Sequence, residues 1–149
     1  VGRCRPARSS SGSSLAITDA GGQERSDPGN DARRIAAAQA YIDALADHDG
    51  DKVPFAPDCI RIEMGLKTGR SGDHLRRSLN SGPQFRLIER CSPPEFTVNG
   101  DEVRARFDVI TKPSLAGRRV CAHVDETFLI PADGRIHHIR ANLRPFIKR

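Results

Sequence analysis

Residues 120–130, VCAHVDETFLI, decide the fold, because their pattern is that of a long strand with one apolar face. Alternation with a period of two is typical of a half-buried β-strand. The residues at every second position are Val120, Ala122, Val124, Glu126, Phe128 and Ile130. The turn pair Asp133-Gly134 follows them, so the stretch predicts one arm of an antiparallel hairpin.

Further strands are predicted on both sides of this stretch. Residues 103–109 alternate in the same way, and Asn99-Gly100, just before them, is a strong hairpin signal. Residues 139–143 supply the strand after the last turn, and residues 85–91 and 59–64 supply two more. The second half of the chain is therefore predicted to be a meander of long antiparallel strands.

Helices are predicted in the first half. Apolar residues recur at helical spacing over residues 31–48, with Asn30 or Asp31 as the N-cap and Gly50 as a stop signal. A short helical piece is expected near residues 51–55, and another helix after Ser71. The order predicts an α+β fold, a curved antiparallel sheet with about three helices packed on its concave face, in a cone-shaped, cystatin-like arrangement.

Composition divides the chain into a tail and one domain. Residues 1–30 contain six Ser, five Gly and two Pro and almost no aliphatic residues, so they cannot bury enough surface to offset the entropy of ordering. We predict a disordered, basic tail over residues 1–30. Residues 31–149 are long enough for a single domain of the usual ~100–150 residues.

Charge and motif content exclude several classes of function. The net charge of +5 would suit a nucleic-acid partner, but the 24 cations are scattered among 19 acids, and we expect no nucleic-acid partner. The four cysteines form no CxxC pair, and no phosphate loop, His–carboxylate metal spacing or nucleophile elbow occurs, so no metal or cofactor is expected. No apolar run approaches the ~20 residues of a membrane span, and no secretory signal is visible, which predicts no membrane partner and a cytoplasmic location.

Glu126 breaks the apolar face of residues 120–130. A carboxylate on such a face costs several kcal/mol (about 2–7) unless it is neutralised, paired or hydrogen-bonded. Glu126 is therefore predicted to be buried with a partner or to line a wet pocket, with Asp125 on the opposite, solvated face. A one-residue bulge would exchange the two acids.

Tyr41 is the second unusual residue. It lies beside Ala38 and Leu45 on the first helix, so its ring belongs on the buried edge while its hydroxyl needs a polar partner. Together with a protonated Glu126, Tyr41 could stabilise an oxyanion of a substrate. The alternative is a core aromatic residue with its hydroxyl at the rim.

From residue 31 to about residue 146, the chain resembles the nuclear transport factor 2-like superfamily, whose SnoaL-like members include ketosteroid isomerases, polyketide cyclases and scytalone dehydratase. The resemblance is carried by four segments: AYIDALADHDGDKV (40–53), CIRIEMG (59–65), GRSGDHLRRSL (69–79) and VDETFLIPADGRI (124–136). It implies oxyanion donors at Tyr41 and at Glu126, two residues before Phe128. It also implies a general base at Glu63, seven residues before the Arg-Ser-Gly that begins at Arg70. The chain departs from the ketosteroid isomerase pattern by having Glu at both acid positions.

Two candidates for the proton-transferring residue remain open. Strand alternation places Glu63 opposite Ile60, Ile62 and Met64, away from the cavity, unless a twist or bulge turns it inward. His137 is predicted to face the interior of the sheet, where it could form an acid–base pair with Glu126 or His123. The alternative for His137 is a structural histidine.

The expected function is binding of a small hydrophobic molecule, with cofactor-free isomerisation, cyclisation or dehydration as the candidate reactions. The predicted lining residues are Phe107, Val124, Phe128 and Ile139. The opposite face of the sheet carries Arg140 and Arg144, and the resemblance implies a homodimer through this face. The alternatives are a binding module without turnover and a structural dimer whose interior is filled by side chains.

Overall fold

Alternating apolar residues build a curved, seven-stranded sheet in the computed structural model, which describes residues 27–112 and 117–148. The strands are β1 (Phe55–Glu63), β2 (Leu66–Gly69), β3 (Ile88–Cys91), β4 (Glu95–Asn99), β5 (Glu102–Thr111), β6 (Arg119–Leu129) and β7 (Ile136–Lys148). The helices are α1 (Pro28–Asp47), α2 (Gly72–Ser81) and α3 (Pro83–Arg86), and a 3₁₀ turn spans Gly50–Lys52. The predicted α+β class with a curved sheet is confirmed.

The sheet is mixed, which corrects the expectation of a wholly antiparallel one. Its order is β2-β1-β7-β6-β5-β3, and β4 pairs with the first half of β5. All neighbours are antiparallel except β1 and β7, which run parallel. Parallel neighbours require a long connection, and here most of the domain lies between the two strands in the sequence. The parallel pair brings the first strand against the last one.

Helix α1 begins at Pro28, earlier than predicted, because Asp27 caps it. The Asp27 side chain accepts from the backbone N–H of Gly29 at 3.1 Å, and Pro28 occupies the first turn, where its missing N–H costs nothing. The helix ends at Asp47, and the next residue, His48, adopts a left-handed conformation and donates its N–H to the carbonyl of Ala44. The rest of the predicted tail lies outside the described residues.

Helix α2 packs closely on β1 at its first residue. Ser71 caps the helix by accepting from the His74 N–H at 3.0 Å, and Leu75 and Leu79 are completely buried. A Cβ at Gly72 would lie 2.4 Å from the carbonyl oxygen of Ala56, so only glycine permits this approach. The contact fixes α2 over one end of the inner sheet face.

The hairpin at Asn99-Gly100 is confirmed, with Asn99 opposite Glu102 and Gly100 at a φ of 64°. Of two other local predictions, one is confirmed only in part and one is wrong. The piece predicted as helix near residues 51–55 is divided between the 3₁₀ turn and the start of β1. Phe85, predicted to begin a strand, lies in α3, because Pro83 starts another turn of helix.

The core lies between the inner face of the sheet and the helices. Helix α1 packs against β3, β4 and β5, whereas α2 packs against β1. The largest completely buried apolar side chains of the core are Tyr41, Phe128, Ile42, Leu75, Leu79, Ile130, Ile136 and Ile139. Within residues 27–112 and 117–148, three polar residues are also buried, Arg34, Arg61 and Glu126. Arg34 joins α1 to the β4–β5 turn through Asp101 at 2.9 Å and donates to the carbonyl of Ile130 at 2.7 Å, which accounts for its burial.

Candidate functional site

Strand register brings two carboxyl side chains onto one row of the inner sheet face. Ala141 on β7 is paired with Glu63 on one side and with Glu126 on the other. Ala105 lies beyond Glu126 in the same row. Two strand spacings separate the backbones of the two acids by roughly 10 Å. Because alanine side chains are short, the row leaves open space between and beside the carboxyl groups.

Glu126 is buried, with 3% of its surface exposed. Its Oε1 atom is buried and has no hydrogen-bond partner among the described residues. Burial raises the pKa of Glu126 to about 8, with a further contribution from the charge of Glu63, and Arg61 partly opposes both. Glu126 is therefore mainly protonated at neutral pH and carries a hydrogen-bond donor as well as acceptors.

Tyr41 reaches the same space from α1. Its ring makes edge contacts with Phe55 and Phe128, at centroid distances of 6.1 and 5.4 Å. The residue is 1% exposed, and burial raises the pKa of the phenol above its ordinary value of 10.0. The hydroxyl accepts from Nη1 of Arg61 at 3.2 Å. Tyr41 is thus a neutral phenol with a polar partner inside the core.

Arg61, which the sequence reasoning did not identify, is completely buried between these groups. Its Nε lies 3.7 Å from the Glu63 carboxylate and donates to the Thr68 hydroxyl at 3.0 Å. Its guanidinium carbon lies 5.3 Å from the centre of the Phe85 ring. Burial acts to lower the pKa of Arg61, but Tyr41 and Glu63 outweigh it and the pKa is raised. Arg61 therefore stays charged and offsets the negative charge of Glu63.

Glu63 faces the interior, contrary to the prediction from alternation. Arg61 and Glu63 are paired with Ile139 and Ala141, both of which are buried on the inner face. Ile60 and Ile62 consequently lie on the outer face. The expectation that the face with the isoleucines lines the cavity is wrong. The two charged side chains can lie on the inner face because they form an ion pair, which offsets part of the cost of burying their charges.

These residues surround a pocket of about 270 Å³. Its polar members are Tyr41, Glu63, Gln84, Thr111 and Glu126, and its apolar members are Leu45, Phe85, Ile88, Phe107, Val109, Val124, Ala141 and Leu143. Tyr41, Glu63 and Glu126, named from the sequence, therefore share one cavity. Its volume is just below the ~300–1,000 Å³ typical of small-molecule sites.

The predicted lining residues divide into two pairs. Phe107 and Val124 line the pocket, whereas Phe128 and Ile139 are completely buried and pack beneath it. Phe128 and Ile139 face each other across β6 and β7 in the next row of the sheet, where side chains fill the space. The prediction that Phe128 and Ile139 line the pocket is therefore wrong.

His137 lies away from the pocket, contrary to its predicted orientation. Its ring bonds to Asp133 in the β6–β7 turn at 2.7 Å and lies 4.0 Å from Asp58. Ile136 and Ile139 are both completely buried although they are three residues apart, so the strand does not alternate regularly here. The irregularity leaves both histidines between them half-buried.

The outer sheet face is polar. Asp125, opposite in direction to Glu126, forms an ion pair with Arg104, and His123 bonds to Asp108 at 2.7 Å. The hydrogen bond from Arg104 holds the pKa of Asp125 below its usual value. The orientations of Asp125 and Glu126 are those that the sequence pattern favours, without the bulge that would exchange them.

Metal-binding clusters and membrane-spanning helices are both absent from the part of the chain that the structure describes. In the described ranges, no group of three or more His, Cys, Asp or Glu side chains could hold a metal ion. Among the helices of those ranges, none combines the length and the apolar character that a membrane crossing requires.

A family model matches residues 28–143, which include every residue that lines the pocket. The chain belongs to the DUF8021 family, described as a domain of unknown function. No curated protein matches this DUF8021 chain.

Solved structures resemble the DUF8021 chain in fold. An NTF-2 like protein of unknown function from Burkholderia xenovorans LB400 is 16% identical, with a TM-score of 0.60, and the match covers 80% of this chain and 89% of that one. An LEH-like epoxide hydrolase of M. tuberculosis is 22% identical, with a TM-score of 0.59 and coverage of 76% and 84%. The epoxide hydrolase/cyclase-like enzyme SalBIII is 17% identical, with a TM-score of 0.60 and coverage of 76% and 92%. At these identities the likeness shows the fold alone, and this fold is the one that the resemblance to the nuclear transport factor 2-like superfamily implied.

Proposed function

We propose that this DUF8021 protein binds a small, neutral, mainly apolar molecule and moves protons on it by general acid–base catalysis without a cofactor. Glu126 is the acid and Glu63 the base. The supporting observation is the buried Oε1 of Glu126, which faces no partner among the described residues in a pocket that it shares with Glu63. A buried polar atom without a partner favours a ligand that supplies one.

The two carboxyl groups have environments that separate their roles. Glu126 is buried and mainly protonated at neutral pH, since its pKa lies near 8. Glu63 pairs with Arg61 and has 28% of its side chain exposed. Pairs of titratable groups with such unequal environments are typical of acid–base sites. Glu126 donates to an oxygen of the substrate while Glu63 removes a proton on the other side of Ala141.

The proton balance is complete for two reaction types. In an isomerisation of a β,γ-unsaturated ketone, Glu63 takes a proton from the carbon next to the carbonyl while Glu126 protonates the carbonyl oxygen, which gives a dienol. Glu63 then delivers its proton to the far end of the dienol, and Glu126 takes back the hydroxyl proton as the carbonyl forms again. In a ring closure, a hydroxyl oxygen attacks an epoxide carbon, the epoxide C–O bond breaks, Glu63 takes the hydroxyl proton and Glu126 protonates the released oxygen. The isomerisation returns both carboxyl groups to their starting state, whereas after ring closure Glu63 loses its proton to solvent and Glu126 regains one from solvent. Two structural neighbours favour epoxides among the substrates to be tried. One is named an LEH-like epoxide hydrolase, and the other, SalBIII, is described as an epoxide hydrolase/cyclase-like enzyme with a role in pyran ring formation.

The pocket also restricts the substrate. A volume of about 270 Å³ suits a molecule of one or two rings. The charges of Arg61 and Glu63 offset each other, and Glu126 is mainly neutral, so the site favours an uncharged ligand with an oxygen acceptor.

The test is a panel of small unsaturated ketones and of hydroxy-epoxides, assayed with wild type, Glu126→Gln and Glu63→Gln. Each substitution is expected to lower kcat/KM by about 10²–10⁴-fold on any compound that is turned over. Asp125→Asn is the matched control, since Asp125 neighbours Glu126 on the same strand but faces outward. Equal rates for wild type and Glu126→Gln would remove the acid role.

A binding module without turnover remains the alternative function. It predicts that compounds of the panel bind, with affinity lowered by Val124→Phe, while none is converted. The open pocket argues against the third possibility, a structural dimer with a filled interior.

A further inference from the structure

Arg61 stands behind the pocket and does not line it. It is completely buried, and an arginine at such a site costs free energy of desolvation that its contacts must offset. Its donors are directed at three acceptors: the Tyr41 hydroxyl at 3.2 Å, the Thr68 hydroxyl at 3.0 Å and the Thr68 carbonyl at 3.3 Å. The two contacts with Thr68 fix the plane of the guanidinium group relative to β2.

The contact with Tyr41 has only one possible direction. A guanidinium group has donors and no acceptor, so the phenol oxygen accepts and Arg61 donates. The proton of the phenol must therefore point elsewhere. The Tyr41 ring is held by Phe55 and Phe128, so rotation about the C–O bond is the only freedom left to the hydroxyl.

We propose that Arg61 is a positioning residue that turns the Tyr41 hydroxyl into a fixed hydrogen-bond donor toward the pocket, which selects ligands carrying a carbonyl or ether oxygen at this point. This selection rests on the proposed function, because it requires that the pocket hold a ligand. The orientation of the hydroxyl does not, since it follows from the contacts of the free protein. Tyr41 and protonated Glu126 then offer two donors to one oxygen.

The chain is well suited to a direct test, because Tyr41 is its only tyrosine and it has no tryptophan. Ultraviolet resonance Raman spectra distinguish a phenol that accepts a hydrogen bond from one that only donates, and every tyrosine signal belongs to Tyr41. Wild type is expected to show the signature of a strong acceptor. Arg61→Met should lose it, and Arg61→Lys should keep part of it. Identical spectra for wild type and Arg61→Met would overturn the proposal.

Binding of two size-matched probes tests the selection of ligands. α-Tetralone carries a carbonyl oxygen and tetralin does not, and both have the two-ring size that the pocket suits. The probe ratio, defined as the Kd of tetralin divided by the Kd of α-tetralone, should fall by about 10-fold in Arg61→Met, as expected for loss of one oriented hydrogen bond. The fall should come from a higher Kd of α-tetralone, while the Kd of tetralin is unchanged. Tyr41→Phe should lower the ratio equally, and the double variant should show no further loss. A structural effect of Arg61 would weaken both probes alike and would overturn the proposal.

Thr68→Val covers the case in which Arg61→Met does not fold. Thr68 does not line the pocket, and its loss removes one acceptor that holds Arg61. We expect a smaller fall in the probe ratio and a partial change of the Raman signature, and the absence of both would contradict the proposal. If neither probe binds wild type, the proposed ligand class is wrong, whereas the Raman result still decides the role of Arg61.

Discussion

Replacing Glu126 with glutamine should stabilise the protein at alkaline pH, although most substitutions in a core destabilise. Glu126 has an ordinary pKa of 4.5, which we take for the unfolded chain, and a pKa of about 8 in the fold. Between these values the folded protein retains a proton that the unfolded chain has released. The free energy of unfolding therefore falls as pH rises through this interval.

The size of the effect follows from the same two values. The interval from 4.5 to about 8 spans about 3.5 pH units, and each unit corresponds to about 1.4 kcal/mol. Full ionisation of Glu126 therefore costs about 5 kcal/mol. That is comparable to the entire free energy of unfolding of many domains, about 5–15 kcal/mol. Glu126→Gln keeps the shape and removes the charge, so it should abolish this cost.

Urea unfolding of wild type and Glu126→Gln at a series of pH values from about 5 to about 9 measures the effect. The difference in free energy of unfolding between the two proteins should be small at the acidic end of the series. As pH rises, Glu126→Gln should become steadily more stable than wild type until about pH 8, above which the difference stays constant. Other titrating groups are common to both proteins and cancel in the difference. Parallel curves, or a variant that loses stability as pH rises, would refute the burial argument for Glu126.

Asp125→Asn, at the residue next to Glu126, should change the free energy of unfolding in the opposite direction. Arg104 lowers the pKa of Asp125 in the fold, so the ionised form contributes stability above the ordinary pKa of 3.8 and that contribution is lost as pH falls through the lowered value. The variant should therefore lose stability relative to wild type at neutral pH, by a small amount because the pair is partly exposed. The difference should shrink in acid.

Three further predictions concern packing and association. Gly72→Ala should lower the free energy of unfolding, measured with urea, by about 1–3 kcal/mol, because the new Cβ would meet the Ala56 carbonyl. Gly29→Ala is the control and should change this free energy little, since the nearest atom to its Cβ lies at 3.7 Å. Equal effects of the two substitutions would contradict the close approach at Gly72. Val124→Phe should fill the pocket and abolish binding of α-tetralone in a folded protein, and unchanged affinity would show that the probe binds elsewhere. The homodimer through the outer sheet face remains a prediction, and Leu129→Glu, at a residue 36% exposed on that face, should shift sedimentation toward the monomer if it forms.

The main architecture could be predicted from the sequence where one face of an element is apolar and the other polar. The strand that carries Glu126 is the best example, since a single charge among alternating apolar residues could be placed on the inner face from the alternation alone. Helical spacing placed Tyr41 on the buried edge of the first helix as a partner for Glu126, and the resemblance to a known superfamily added Glu63. Their roles as donor and base remain proposals.

Arg61 could not be predicted in the same way, because alternation assumes that the apolar face of a strand is the inner one. On β1 the inner face carries Arg61 and Glu63, and Ile60 and Ile62 face outward. Opposite charges two residues apart on one strand share a face, which is the signal that the pattern did offer. Only the pairing with Ile139 and Ala141 on β7, about 80 residues away, decides which face that is.

His137 illustrates the other limit. Its predicted position depended on regular alternation along residues 137–143, and one irregularity between Ile136 and Ile139 was enough to move it out of the pocket. Irregularities of this kind depend on pairing between distant strands, so a local pattern cannot reveal them.

Ala141 has no chemistry of its own, yet it sets the clearance between the two acids. Any bulkier side chain there would lie between the proton donor and the proton acceptor and would reduce the width of a substrate that can contact both. Within a fold that keeps Glu63 and Glu126 in place, exchange at this one position offers a way to alter substrate width without touching the groups that react.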